Sequence, residues 1–171
     1  IRKCVTSDMK KEGSIWIVGE TKEEMGASLY YRNLELESAN VPTTNIEEFM
    51  PRMEQLVQAI ENNEVVACHD ISTGGLAITV IEMCMSGIGA NIELTSDLRA
   101  DIEMFSESNG RWIVQVAPGC DEQFANRFDY AKKIGNCDNE IVFKKDGEIL
   151  SRLDIEQTRK TWTDPIWDRL A

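Results

Sequence analysis

The stretch ACHDISTGGLAITVIEMCMSG, residues 67–87, holds the chain's one histidine. It sets a polar, glycine-containing turn between a short apolar run and a strongly apolar, helix-like segment. A strand that ends in such a turn and feeds a glycine-initiated helix is suited to receiving phosphate. The first N–H groups of the helix point into the turn, and the helix dipole adds partial positive charge there. Gly74 and Gly75 carry no side chains, so an anion can come close to the backbone. Ser72 and Thr73 can cap the helix or donate hydroxyl hydrogen bonds to a ligand. His69 and Asp70 offer acid–base or metal-binding groups; the plainer reading is a half-buried histidine with satisfied partners and an aspartate that shapes the loop. Cys68 and His69 do not make a nucleophilic pair, because adjacent residues of an extended segment point to opposite faces. The spacing matches neither GxGxxG nor GK[ST], so an ordinary capped glycine turn stays open as the alternative. On the ligand reading, a side chain at Gly75 is expected to weaken anion binding far more than it lowers stability. A second polar group, SESNGR at 106–111, brings Ser, Glu and Arg into one loop; its plain reading is a turn leading into a strand, with a surface ion pair.

The elements that must position these residues are legible as runs and periods. SIWIVG, 14–19, reads as a buried strand closed by glycine, and EVVAC, 64–68, as another. TKEEMGASLYYRN follows the first strand, with either a Thr21–Glu24 capping box or a loop around MGAS. Between 45 and 63, apolar residues at 49, 53, 56, 57 and 60 recur at helical spacing, and Pro51 places the secure helix after itself. LAITVIEMCMSG is apolar nearly all round and reads as a buried helix stopped near Gly87. ANIEL and RWIVQVAP read as strands. Residues 121–133 read as an amphipathic helix with an acidic start and a basic end. EIVFKKDGEILSRL places Asp146-Gly147 between two alternating runs, a hairpin signal. The tail reads as a short helix, a break at Pro165 and a terminal turn. Together these predict an α/β, α+β-like fold: one mixed β-sheet with helices packed on it.

Composition narrows the function classes. The 171 residues are 42% hydrophobic and 28% charged, enough for one cored domain spanning 1–171. The net charge of −12 argues against nucleic acid and against an anionic membrane surface. No apolar run approaches the roughly 20 residues that cross a bilayer. Five cysteines without a CxxC pair suit a reducing compartment, reduced and mostly buried, and one histidine makes a zinc site unexpected. Ile1 is not an initiator methionine, which suggests a piece of a longer polypeptide.

HDISTGGLAITVIEM is similar to the HDVSDGGLAVALAEM stretch of the phosphoribosylformylglycinamidine synthase family, in its large (II) subunit. IWIVGETKEEMGASLYYR resembles that family's strand followed by LGGSEYYR, and SESNGRWIVQV resembles SESPSRFVVEV. IGNCDNEIVF and TWTDPIWDRL fall in the family's order, so the resemblance runs along essentially the whole chain. It implies the C-terminal domain type of the AIR synthase-related proteins. It implies also a place in an ATP- and glutamine-dependent carbon–nitrogen ligase of de novo purine synthesis. That enzyme converts formylglycinamide ribonucleotide to formylglycinamidine ribonucleotide: phosphoryl transfer activates the substrate amide oxygen, and ammonia from a glutaminase displaces the phosphate. The implied cofactors are ATP and magnesium, held mainly through an N-terminal nucleotide-binding domain of the same chain. The implied partners are that domain, a glutaminase subunit and a small bridging subunit, in the cytoplasm, with no nucleic acid and no membrane.

Carried over by position, His69, Asp70, Ser72, Thr73, Gly74 and Gly75 are the phosphate- or nucleotide-binding candidates. Gly26 and Ser28 fall on the GGS loop, and Glu107, Ser108 and Arg111 on the SES loop, as supporting residues. No catalytic residue and no metal ligand is carried over, and the chain alone is expected to be inactive. Ala27 replaces a glycine, Thr73 an aspartate and Asn109-Gly110 a Pro-Ser pair. The alternatives are a structural or pseudo-active-site repeat that holds a nucleotide, or the equivalent domain of another member of the AIR synthase superfamily.

Overall fold

The computed structural model describes residues 3–168, which form a seven-stranded mixed sheet with helices on both faces. The strands are β1 (Ser14–Val18), β2 (Val65–Asp70), β3 (Gly89–Leu94), β4 (Trp112–Val116), β5 (Ala131–Asp138), β6 (Ile141–Lys145) and β7 (Glu148–Leu153). They lie in the order β2-β4-β1-β5-β3-β6-β7. All neighbours are antiparallel except β3 and β6. The helices are α1 (Leu29–Asn33), α2 (Ile46–Glu61), α3 (Gly75–Met83), α4 (Ala100–Phe105), α5 (Asp121–Ala125) and α6 (Ile155–Asp168).

β1 is apolar without alternation because it is covered on both sides. Ile15 and Ile17 pack with Leu76, Val80 and Met83 of α3, while Trp16 and Val18 pack with Leu56 and Ala59 of α2 and Phe124 of α5. Every residue of β1 is buried, as expected for a strand with helices on both faces. α3 is apolar all round for a related reason: it is wedged between the sheet and α4, and six of its residues are buried. It ends in a single 3-10 turn, Cys84–Ser86, closed by Gly87 in the left-handed region at φ 96°. The hairpin between β6 and β7 turns on Asp146 and Gly147, both left-handed at φ 53° and 79°. Positive φ at both central residues belongs to a type I′ turn, and the hairpin expected from Asp146-Gly147 is present.

Four expectations are corrected. The helix expected over 121–133 is only α5; after it the chain turns, and Ala131 begins β5, pairing with Val18. Phe124 and Phe128, whose spacing suggested a longer helix, instead pack together under the sheet with centroids 4.9 Å apart. α2 begins before Pro51, because the Asn45 side chain accepts from the Glu47 N–H and caps it there. An exposed proline this early removes one donor without stopping the helix. α6 continues through Pro165 to Asp168, and the expected terminal turn lies outside the described residues. Of the two readings left open for 21–28, the structure has the loop, with Glu24 turned to Thr43. The cysteines are free as expected, but only Cys84 is fully buried; Cys68, Cys120 and Cys137 are half-buried and Cys4 is exposed.

Candidate functional site

Strand register brings the candidate residues to one end of the sheet. Val18 lies opposite both Trp112 and Ala131, and Asp70 lies opposite Trp112. The loops after β1 and β2 and those before β4 and β5 therefore share that end. The three motifs at 21–28, 69–75 and 106–111 meet there although long stretches of chain separate them.

Glu107 joins two of these loops. One of its carboxylate oxygens accepts from Gly74 N–H at 2.8 Å and from Leu29 N–H at 2.9 Å. Gly74 caps α3 and Leu29 opens α1, so a single negative charge serves the positive ends of two helices. Gly75 N–H is used within the turn, donating to the Ser72 carbonyl at 3.0 Å. Gly74 and Gly75 are buried and left-handed, at φ 82° and 69°. A Cβ on Gly75 would stand 2.7 Å from the Met104 carbonyl oxygen. The glycine at 75 thus lets α3 approach the end of α4, which alters the expectation that a side chain there would act chiefly on a ligand. The outward-facing groups of the turn are Asp70, Ser72 and Thr73, all exposed.

His69 Nδ1 lies 2.7 Å from its neighbour's backbone oxygen, on Asp70, and Nε2 lies 3.5 Å from Glu82 of α3. Cys68 packs toward the opposite face, with Trp112 and the α2 side of the core, as strand alternation requires. Burial pushes the Cys68 thiol up to about 12, and the Asp70 charge adds to the effect. That holds it as a protonated, unreactive thiol at neutral pH.

Arg111 is the best-buried large side chain of the site, 1% exposed. It is no surface ion pair: it donates to the Ser108 carbonyl at 2.8 Å, the Ser106 carbonyl at 2.5 Å and Thr21 Oγ1 at 2.8 Å. Burial lowers its guanidinium to about 10, opposed by the charge of Glu24. Ser106 and Ser108 hydrogen-bond each other and the Lys22 carbonyl, and Ser108 Oγ also accepts from Lys22 N–H. Ser28 is fully buried, donating to Met25 O and accepting from Tyr31 N–H as the cap of α1. Gly26 is needed because the 38–40 segment crosses it; a Cβ would lie 2.6 Å from Ser38 O. Ala27 takes a left-handed φ of 62°. Arg111, Ser108, Ser28, Gly26 and Glu107 therefore build the loops, and Asp70, Ser72, Thr73 and half-buried His69 are what the loops present.

Beside the turn, a cavity of about 590 Å³ opens over the ends of β1, β3 and β5. Ile17, Leu76, Ile92 and Ile134 form its floor, and Glu20, Asp97, Asp129 and Lys132 lie on its rim. One wall was not legible in the sequence. It is the 95–98 loop, pinned by buried Glu103, which accepts from Thr95 and Ser96 N–H and pairs with Lys145 at 3.0 Å. The available signal was a glutamate inside the apolar run of α4. Glu24, read from the sequence only as a capping-box partner, is 6% exposed, and its second carboxylate oxygen has no partner among the described residues. Among those residues no group of three or more His, Cys, Asp or Glu side chains is placed to hold a metal ion. None of their helices is long and apolar enough to cross a membrane.

Known proteins resemble this chain in sequence and in fold. The family described as AIR synthase related protein, C-terminal domain, matches residues 15–140. The chain is 34% identical over 97% of its length to phosphoribosylformylglycinamidine synthase subunit PurL of Methanothrix thermoacetophila. It is 32% identical over 98% to the same subunit of Caldanaerobacter subterraneus. It spans 23% and 24% of those relatives, about a quarter of their length. Among solved structures, Thermotoga maritima PurL complexed with FGAR superposes with a TM-score of 0.74 at 13% identity, over 91% of this chain and 29% of that one. Hydrogenase maturation protein HypE in complex with ATP gives 0.61 at 16% identity, over 88% and 53%. These likenesses show the fold. The match of the family over most of the sheet and its helices, with the motifs converging at one end, has one consequence: the chain belongs to the AIR synthase related protein, C-terminal domain, family.

Proposed function

We propose that this chain is a domain of a phosphoribosylformylglycinamidine synthase, an ATP-dependent ligase, working in the cytoplasm beside a nucleotide-binding domain and the glutaminase and small bridging subunits. The observation that carries the reading is the convergence of the 21–28, 69–75 and 106–111 loops, three of the stretches that resemble that family, at one end of the sheet. In this role Ser72 and Thr73 donate hydroxyl hydrogen bonds to a ligand phosphate. Glu107 and Arg111 hold the loops that present them, and His69, fixed between Asp70 and Glu82, borders the site. The domain orients ligand and excludes water; it supplies no nucleophile.

The fit to ATP and magnesium divides by part of the molecule. The cavity has an apolar floor suited to a base or sugar, but its carboxylate rim opposes a triphosphate. Among the described residues no acidic cluster is placed for a cation, so in this reading the triphosphate and magnesium are assigned to the partner domain. The chain alone is therefore expected to form no product. Formation of formylglycinamidine ribonucleotide by the purified 171-residue chain, with ATP and ammonia, would refute that.

A second reading, a structural repeat that scaffolds the enzyme, is favoured by Glu107, whose carboxylate already sits where Gly74 N–H would meet an anion. Replacing Ser72 and Thr73 together by Ala and Val in the intact synthase separates the two. The ligand role predicts a KM for ribonucleotide or ATP raised about tenfold or more, with thermal stability unchanged. Unchanged KM with full activity would leave only the scaffold.

A further inference from the structure

We propose that the outer face of α2 is a docking surface for an amphipathic, basic helix of a partner protein. The inner face of α2 is settled by packing: Leu56 and Ala59 are buried, and the Phe49 ring lies 5.6 Å from that of Trp112. Beside that face runs a second apolar row, Ile46, Met50, Met53 and Val57. Its 4-3-4 spacing is that of a helix–helix seam, not of a surface helix with one apolar stripe. Ile46, Met50 and Val57 are 61%, 41% and 49% exposed, so the described residues leave the row largely uncovered. It extends about 16 Å, three turns, at 1.5 Å per residue. Two methionines at its centre let the surface adapt to a partner's side chains.

Charge selects the occupant. Glu47, Glu54 and Glu61 form a row seven residues apart along the solvent side of the seam, all exposed. None is paired with a cation among the described residues. The one basic residue of the helix, Arg52, is turned away, donating to Gly110 O at 3.1 Å and lying 5.4 Å from the Tyr130 ring centroid. A second copy of the chain is disfavoured, because antiparallel pairing of two α2 helices sets glutamate row against glutamate row, on molecules of net charge −12 each. A helix with an apolar seam flanked by Lys or Arg meets both rows at once.

The test uses the 171-residue chain and two synthetic helical peptides with leucine at every seam position, one flanked by lysine and the other by glutamate. The lysine peptide is expected to shift the methyl resonances of Ile46, Met50 and Val57 saturably. Raising salt from about 0.05 to about 0.5 M should weaken it several-fold. Met50→Asp should cost about tenfold or more in affinity. The triple variant Glu47→Lys, Glu54→Lys, Glu61→Lys should prefer the glutamate peptide. Unchanged melting curves confirm that both variants are folded, as surface positions allow. No saturable shift with the lysine peptide, or equal binding of both peptides, overturns the proposal. So does self-association of the chain through this face, seen in sedimentation as a dimer that Met50→Asp dissolves.

Discussion

The carboxylate of Glu107 accepts two backbone N–H groups that open different helices, and hydrogen bonds to a charged acceptor contribute about 1.5–3 kcal/mol each when lost. Glu107→Ala should therefore lower the unfolding free energy by several kcal/mol, and Glu107→Gln, which keeps an oxygen but not the charge, by less. Urea melts of the three proteins decide it; an alanine variant as stable as the parent would mean that water replaces the carboxylate at no cost. Gly75 makes the complementary case. A side chain there meets the α4 backbone at 2.7 Å and forces an L residue to φ 69°, which alone costs about 1–2 kcal/mol. Gly75→Ala should destabilise the chain by at least that amount in the same melts. The outcome would separate architecture from ligand binding: the sequence pairs Gly74 and Gly75 as equal parts of an anion turn, and only the packing tells which atoms each one faces.

At the scale of elements, what was legible depended on whether local pattern and tertiary packing agree. α3, the β6–β7 hairpin and β1 follow from runs, turn residues and period. The 121–133 segment misled because Phe124, Phe128 and Ala131 have helical spacing while the last of them already belongs to a strand. β5 itself escaped notice: AKKIGNCD alternates poorly and contains a glycine, and it is a strand because β1 and β3 supply partners on both sides. The site was legible as three motifs but not as one assembly, since nothing in their spacing says that Glu107 reaches Gly74. The pair Glu103–Lys145 shows how such unseen links are tested. Glu103 is 5% exposed, holds the 95–98 loop and has Lys145 as its counter-charge. Removing one member of a buried pair costs about 3–5 kcal/mol, whereas replacing both is often nearly neutral. Lys145→Met should thus be strongly destabilising, and Glu103→Gln should recover part of the loss in the Lys145→Met background. A double-mutant cycle without coupling would show the pair to be independent.

Considered whole, the sheet is two three-stranded groups, β2-β4-β1 and β3-β6-β7, whose hydrogen-bonded ladders meet only through β5, while α3 and the core under it pack on both. β5 is late in the chain and pairs with strands from its first and middle parts, so its placement closes long loops and couples both groups in one step. Gly135 sits at the join, opposite both Ile15 and Ile92, beside the register shift between Ile15 and Trp16. A Cβ there would collide with the Asn91 carbonyl oxygen and press on Ile92 Cδ1 at 3.1 Å. Gly135→Ala must therefore push β3 away from β5, weakening the seam without touching the interior of either group. If the sheet is one cooperative unit, native-state hydrogen exchange should show protection in β4 and in β6 falling together and by the same free energy in this variant. If the groups are separate units, β4 keeps its protection, held by β1 and β2, while β3 and β6 open. The site straddles this seam, with the glycine turn and the 106–111 loop on one group and the 95–98 loop on the other. Joint loss would mean that the cavity wall and the turn exist only together, so that any ligand gripping both would stabilise the entire sheet rather than one edge of it.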